Sequence, residues 1–365
     1  MSVSHVKVLF LLPYPLNRAA SQRFRVEMLL PLLKAQGIQY DLRPFMTEAT
    51  WNILYKRGSF LQKATGMIGA YLRRLLTILF EAPRYDLVFI HREAAPMGPP
   101  FFEWYLARVL RKRIIYDFDD AIWIPNTSSE NRLINPFKAF WKVPMICRWS
   151  EVISAGNNYL SSYAADNTEA KVLTIPTVVD TAYRYNKFKE HKPGKTNVGW
   201  TGSHSTLKYL DRLLPVIRKL QDEEEFTFLV IADKRPEFKL KDWQFVSWNA
   251  GTEIEDLIKI DIGLMPLPHD VWSEGKCGFK LIQYLALGIP ALADPVGVNR
   301  DIIDQGLNGF LCATDDDWYQ NIKTLIHNKN LRKDMGLQGR HKIEREYSIH
   351  SIQSRFLDLF ERPPV

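Results

Sequence analysis

The chain has 365 residues, 46% of them hydrophobic, which suits two packed domains of roughly 150–200 residues each and excludes a mainly disordered protein. Its three cysteines form no CxxC pair, so neither a structural zinc site nor a disulfide framework is expected, and a reducing cytoplasm fits best. A formal net charge of +7 implies attraction to anions; with no zinc finger, basic zipper or RNP-like aromatic motif, nucleic acid is not an expected partner.

Residues 6–12 read as the first buried strand. The run is broken by Pro13 and Pro15 with no small-residue cleavage site after it, so it is not read as a signal peptide. Residues 23–36 read as a helix closed by Gly37, and 38–42 as the next strand. Residues 60–80 read as an amphipathic helix in which Lys63, Arg73 and Arg74 interrupt Leu61, Met67, Ile68, Leu72, Leu75 and Leu79. Those charges rule out a spanning helix, which needs roughly 18 apolar residues. The segment either packs on its own core or makes peripheral contact with an anionic membrane. Strands follow at 86–90, 113–116, 152–154 and 172–175, with a helix at 100–110. The polar, basic stretch 186–195 reads as a linker, and beyond it the alternation restarts. The second half gives strands at 197–201, 226–232, 261–266 and 289–293, a helix at 206–220 kinked by Pro215, and a helix at 276–287 ended by Gly288. Strand–helix alternation on both sides of one linker predicts an α/β chain with two parallel sheets and a cleft between the halves. Ligands are then expected outside the carboxyl ends of the strands.

The sharpest loop runs from Ser273 through Glu274, Gly275, Lys276, Cys277, Gly278, Phe279 and Lys280 to Gln283. Two glycines before a helix start leave backbone N–H groups facing an anion, and Lys276, Lys280 and Gln283 would share one helical face. Lysines in first turns oppose the macrodipole at roughly 0.3–1 kcal/mol each, a sign that a bound phosphate reverses. A solvated basic face would show the same pattern. Trp200-Thr-Gly-Ser-His204 ends a strand: Gly202 allows close backbone approach, Ser203 and His204 offer donors, and Lys208 lies one turn on. An ordinary capped turn would look alike. Pro295 to Asn299, with Val298 between them, is either a pocket wall or a plain helix start. In the first half Asp117, Asp119 and Asp120 crowd a strand end, suited to acceptor hydroxyls, a metal or a cationic transition state. A helix cap at Asp120 is the alternative. His91, with Arg92 and Glu93, ends the preceding strand. Arg18, Gln22, Arg23 and Arg25 give the first loop a basic face for an anionic ligand, or a solvated helix start. Asp315 to Asp317 read as a helix cap with first-turn charge.

Taken together, residues 275–290, the loop Gly199-Trp-Thr-Gly-Ser203, Pro295 to Asn299, Asn308-Gly-Phe-Leu311, Leu331-Arg332 and Tyr347-Ser348 resemble family 4 glycosyltransferases. The resemblance is strong over most of the second half. It is looser in the first, where the arginine-rich loop, His91-Arg-Glu93 and residues 117–123 carry it. The chain is most similar to the bacterial branch with a Gly-Lys-Cys-Gly-Phe-Lys signature. The resemblance implies a GT-B fold of two facing Rossmann-like domains with an interdomain cleft. Residues 1–190, joined by a C-terminal helix at 349–362, would be the acceptor domain, and 191–348 the nucleotide-sugar donor domain. It implies sugar transfer with retention, without metal or cofactor, from a nucleotide-sugar donor to a glycan or lipid-linked acceptor in cell-envelope polysaccharide synthesis. Apart from the resemblance, the cysteines point to the cytoplasm, and the basic segment 60–80 leaves open peripheral contact with the inner face of the membrane. By resemblance Gly202, Ser203, His204, Lys208, Glu274, Lys276, Gly278, Phe279, Lys280, Gln283, Val298 and Asn299 would bind the donor. Asp119, Lys280 and His91 would be catalytic, and Arg18, Arg23, Arg25, Glu93, Asp117 and Asp120 would face the acceptor. Many members have two glutamates eight positions apart; here Gly275, beside Glu274, and Gln283 stand in their places, so the donor's identity stays open. A nucleotide-sugar epimerase of the same architecture and a non-catalytic nucleotide-sugar binding protein are the alternatives.

Overall fold

The computed structural model describes residues 6–54, 58–125 and 138–361. The chain divides into two compact units, Met1–Pro176 with Gln353–Val365, and Thr177–Ile352. Residues 177–190, read from the sequence with the first half, are thus counted with the second unit. The end of the expected helix 349–362 lies outside the described residues.

The first unit holds a parallel sheet of six strands: β1 (Lys7–Leu12), β2 (Gln39–Pro44), β3 (Leu87–His91), β4 (Arg113–Phe118), β5 (Val152–Ala155) and β6 (Lys171–Thr174), in the order β2-β1-β3-β4-β5-β6. Residues 8–12 and 87–91 are buried throughout, the continuous apolar pattern of strands covered on both faces. The order reverses direction between β1 and β3, which makes their carboxyl ends the topological switch point. The end of the chain completes this core: Phe360 lies 6.3 Å from Phe10 and 6.2 Å from Phe89, with Phe356 5.4 Å from Phe360.

The second unit repeats the architecture with β7 (Thr196–Gly202), β8 (Phe226–Ala232), β9 (Trp243–Ser247), β10 (Ile262–Met265), β11 (Ala291–Ala293) and β12 (Gly309–Leu311), all parallel, in the order β12-β11-β10-β7-β8-β9. Counted within the unit this is the doubly wound order 3-2-1-4-5-6, with its switch point between β7 and β10. Those two strands pair only at Ile262 with Val198 and Gly263 with Gly199. Beyond that point the Tyr284 hydroxyl enters between them. It accepts the Thr201 N–H at 2.9 Å and donates to the Leu264 carbonyl at 3.5 Å. A side chain on Gly263 would strike the Tyr284 ring, its Cβ only 2.4 Å away.

Several expected helices are redrawn. Residues 23–36 form Ala20–Arg25, a 3₁₀ turn Glu27–Leu29 and Leu30–Ala35; Gly37 ends the last with φ +72°. Residues 206–220 form a 3₁₀ segment His204–Leu210 and a helix Leu214–Glu223. Pro215 therefore starts a helix, where its missing N–H costs nothing, instead of kinking one. The helix expected from 276 begins at Phe279, because Gly278, at φ +64°, turns the chain there. Asp120 caps no helix; a turn follows it. Thr314 and Asp317 do form a reciprocal cap on the helix Asp315–His327. The segment 60–80 is a helix, Phe60–Leu76, continued by a wider turn Thr77–Glu81. Its buried residues are Ala70, Arg74, Thr77 and Ile78, while Leu61, Ile68, Leu72, Leu76 and Leu79 are exposed. Met67 and Leu75 are half-buried, so the segment packs on its own unit with only part of its apolar surface.

Candidate functional site

In the first unit the carboxyl ends of β3 and β4 and the loop after β1 meet in a connected polar cluster. His91, fully buried as the last residue of β3, faces Asp117 through Nδ1 at 2.7 Å and Ser21 Oγ through Nε2 at 2.8 Å. Ser21 Oγ also donates to Asp119 Oδ1 at 2.8 Å. Asp117 lies inside β4 and is buried. It binds Arg25 and accepts from Ser154 Oγ at 2.7 Å. Burial alone would raise the Asp117 carboxyl, but Arg25 and His91 together hold it below the usual carboxylate range. The same competition holds Asp119 low: burial opposes ionisation, and Arg92 overrides it. Arg92 Nε donates to Asp119 at 2.8 Å and its guanidinium also pairs with Asp120.

Arg92 sits at φ +61°, a left-handed conformation unusual for a non-glycine residue. Tyr116 Oη donates to its carbonyl at 2.8 Å, and its own N–H donates to the Asp117 carbonyl at 2.7 Å. Strain of this kind costs about 1–3 kcal/mol and gathers at functional sites.

The first loop's other members are placed differently. Arg25 is buried and also bonds the Ile175 carbonyl, tying the ends of β4, β5 and β6 together. Arg18 forms an exposed pair with Glu48 at 2.7 Å. Arg23 lies 5.0 Å above the Phe24 ring, and Gln22 exchanges hydrogen bonds with the Tyr14 backbone. Glu93 pairs with the buried Lys142 at 2.7 Å.

In the second unit the loops after β7 and β10 flank the switch point. Lys280, in the first turn of helix Phe279–Ala286, holds its ammonium 5.6 Å from the centre of the Trp200 ring. Trp200 lies in β7 two residues before Gly202, and a Cβ on Gly202 would stand 2.4 Å from that ring. Lys276 precedes the helix and lies 4.8 Å above Trp272, so Lys276, Lys280 and Gln283 do not share one helical face as expected. Gln283 is buried and donates to Tyr185 Oη at 2.7 Å. Glu274 accepts the Gly297 N–H at 2.9 Å and pairs loosely with Arg300. That bond joins the loop to the Pro295–Asn299 turn. Gly297 permits it, since a Cβ there would stand 2.7 Å from the Glu274 carbonyl. Asn299 is fully buried and donates to the Asp294 carbonyl at 3.0 Å, while Val298 is half-buried. His204 gives both its backbone N–H and Nδ1 to Asp233 at 2.6 Å, which fixes its ring. Ser203 Oγ meets Ser205 Oγ, and Lys208 is exposed beside Tyr209.

Residues 184–342 match the family model of glycosyl transferases group 1. The matched stretch lies within the second unit. No curated protein matches the chain. Among solved structures, sucrose-phosphate synthase from Thermosynechococcus elongatus is 11% identical with a TM-score of 0.67, covering 97% of this chain and 98% of its own. A glycosyltransferase from Rickettsia africae is 12% identical, with a TM-score of 0.65 and 97% of each chain covered. Anabaena HepE in complex with UDP and glucose is 14% identical, with a TM-score of 0.61 over 97% of this chain and 99% of that one. At these identities the likeness shows the fold: two Rossmann-like α/β units, the GT-B architecture.

In the second unit, a helix N-terminus reinforced by Lys280 and a glycine turn at Gly202 stand at adjacent strand ends. This pairing can hold an anionic diphosphate. Among the described residues no group of three or more His, Cys, Asp or Glu side chains could hold a metal. Sequence reasoning missed Ser21, Ser154, Tyr185 and Asp233. Each becomes a partner only through a contact 29 to 129 residues away, which no local motif signals. For Asp233 a signal existed: an acid directly after a strand that is apolar at every position but Thr227.

Proposed function

We propose that this chain is a retaining glycosyltransferase that moves a sugar from a nucleotide-sugar donor to a glycan or lipid-linked acceptor in cell-envelope polysaccharide synthesis, with no resident metal or cofactor. One observation carries the reading. The second unit, where the group 1 match lies, sets Gly202, Ser203 and the Lys280 turn at the β7–β10 switch point, where a doubly wound sheet receives its ligand. The diphosphate leaves as an anion stabilised by Lys280, Lys276, Ser203 and the backbone N–H groups at the helix start. Retention follows the family resemblance: the acceptor oxygen attacks on the face from which the diphosphate departs, through a sugar with oxocarbenium character. In the first unit Asp119 is held ionised beside Arg92, His91 is oriented by Asp117 toward Ser21, and Asp119 and His91 are proposed as catalytic residues. Glu93, Asp120, Arg18 and Arg23 are proposed on the acceptor side.

A second reading, donor binding without turnover, has one observation in its favour. Gln283, standing where many relatives carry a carboxylate, is engaged by Tyr185 in a buried neutral pair.

A panel of nucleotide sugars, beginning with UDP-glucose because HepE has been solved with it, separates these readings. Under sugar transfer one donor raises the melting temperature, since a ligand bound to the native state stabilises it. Proton NMR then detects transfer or slow hydrolysis with the anomeric configuration kept. Binding without either reaction supports the second reading, product formed from donor alone with the sugar epimerised supports an epimerase, and no response to any donor sinks all three.

A further inference from the structure

His91 is fully buried, with Asp117 2.7 Å from Nδ1 and Ser21 Oγ 2.8 Å from Nε2. Asp117 and Asp119 are buried too, whereas Ser21, in the helix Ala20–Arg25, is half-buried. Of these four side chains Ser21 is the most accessible. The donors and acceptors fix where the protons stand. Asp117, ionised beside Arg25 and already accepting from Ser154 Oγ, can only accept. The proton it shares with His91 therefore belongs to Nδ1, and Nε2 is the basic nitrogen of the neutral ring. Asp119 Oδ1 lies 2.8 Å from the same Ser21 Oγ and is ionised beside Arg92. Ser21 thus faces two acceptors with one hydroxyl proton. A proton on Nε2 completes the network: Nε2 donates to Ser21, and Ser21 donates to Asp119. With His91 neutral, Ser21 donates to Nε2 and its contact with Asp119 lacks a proton. The neutral network is one proton short, and a hydroxyl group donating at Ser21 supplies it. Charge agrees, since Asp117, Asp119 and Asp120 face only Arg25 and Arg92 across these ion pairs, three carboxylates to two guanidiniums. Of the other titratable groups nearby, Glu93 is paired with Lys142, and Tyr14, which bonds Arg92, is raised by burial and stays neutral.

We propose that Ser21 relays the proton of the attacking acceptor hydroxyl to His91, taking it on Oγ while passing its own proton to Nε2. The proposal rests on the sugar-transfer reading. The acceptor's O–H bond breaks as its oxygen bonds the anomeric carbon, and the bond from that carbon to the diphosphate breaks with the electron pair leaving on the diphosphate. The acceptor's proton ends on Ser21, now turned to Asp119, and the serine's former proton ends on His91 as an imidazolium between Asp117 and Ser21. After product release that proton returns through Ser21 to water. His91 acts through Ser21, and the 2.8 Å contacts on either side of the serine are the two ends of one proton movement.

The test compares the full chain with Ser21→Ala and Ser21→Thr, each checked for folding by circular dichroism. The donor is UDP-glucose or whichever panel member raises the melting temperature, and water serves as the acceptor. Ser21→Ala should lower kcat for donor hydrolysis about a hundredfold, the scale of lost general acid–base assistance, with the donor's Kd by calorimetry unchanged. Ser21→Thr, which keeps the hydroxyl, should recover most of the rate. The wild-type rate should fall toward acid, where His91 takes its proton from solvent instead of the acceptor, and Ser21→Ala should lose that dependence; a packing role for Ser21 would not move it. Hydrolysis by Ser21→Ala at the wild-type rate overturns the relay and leaves the transfer reading standing. If wild type neither binds nor turns over any donor, the transfer reading falls and the relay with it. Long-range nitrogen–proton NMR of wild type in mildly alkaline buffer decides even if the variants fail to fold. His91 should carry its proton on Nδ1 with Nε2 bare, and a proton on Nε2 there overturns the relay.

Discussion

At Lys280 a single ammonium adds to the positive end of its helix at the second unit's switch point, 5.6 Å from the Trp200 ring. Lys280→Ala is expected to weaken the affinity of whichever nucleotide sugar the panel identifies by about 1.5–3 kcal/mol, the scale of a hydrogen bond to a charged group. Titration calorimetry showing unchanged affinity would remove Lys280 from the donor site. Asp119 belongs to the other unit and carries a different expectation. Its charge, held by Arg92 and Ser21, is proposed to serve catalysis. Asp119→Asn keeps the shape and deletes the charge, so kcat is expected to fall on the order of a hundredfold while the donor's Kd stays unchanged. Turnover near the wild-type level would end the catalytic assignment. Both residues were singled out from their motifs. Ser21 was not, because a serine in a first loop carries no mark of the histidine 70 positions on that it meets.

Among the elements, the buried strands were the most legible, because apolar runs bounded by turn residues leave little choice. The 226–232 strand is found as read. β9 was missed because it is a half-exposed edge strand, and β12 because three residues hold too little pattern. Helix starts were misdrawn where one residue decides them, Pro215 and Gly278 above all. The Tyr284 hydroxyl, wedged where β7 and β10 part, lies beyond any pattern of its helix. Tyr284→Phe leaves a buried Thr201 N–H without its acceptor, and the expected loss is about 1–3 kcal/mol of stability. Chemical denaturation measures it; a loss below about 0.5 kcal/mol would mean that water or the backbone takes the hydroxyl's place.

For the whole molecule, doubly wound halves were legible from the restart of strand–helix alternation, while the division point was not, since residues 177–190 carry no regular pattern. The two units also differ in how acid acts on them. Asp117 and Asp119 in the first unit have carboxyl pKa values held low, so their stabilisation is present above the unfolded value of about 4 and is lost as pH falls through the folded values. In the second unit Asp261 behaves likewise, its burial outweighed by His191 and Lys189. Asp294 is raised by burial, so acid relieves rather than removes part of that unit's stability. Hydrogen exchange followed as pH falls below about 4 should therefore show amides of β3, β4 and β5 losing protection before those of β7 and β10. The reverse order would contradict the assigned charges.

The packing of Phe356 and Phe360 against Phe10 and Phe89 has a temporal meaning. A ribosome delivers the first unit's sheet early, yet the rings that seal its core are made only after the whole second unit. The amino-terminal half waits, incompletely closed, while the second unit is synthesised and can fold ahead of it. A stop codon after residue 352 would leave the later unit intact and the earlier one without its final layer.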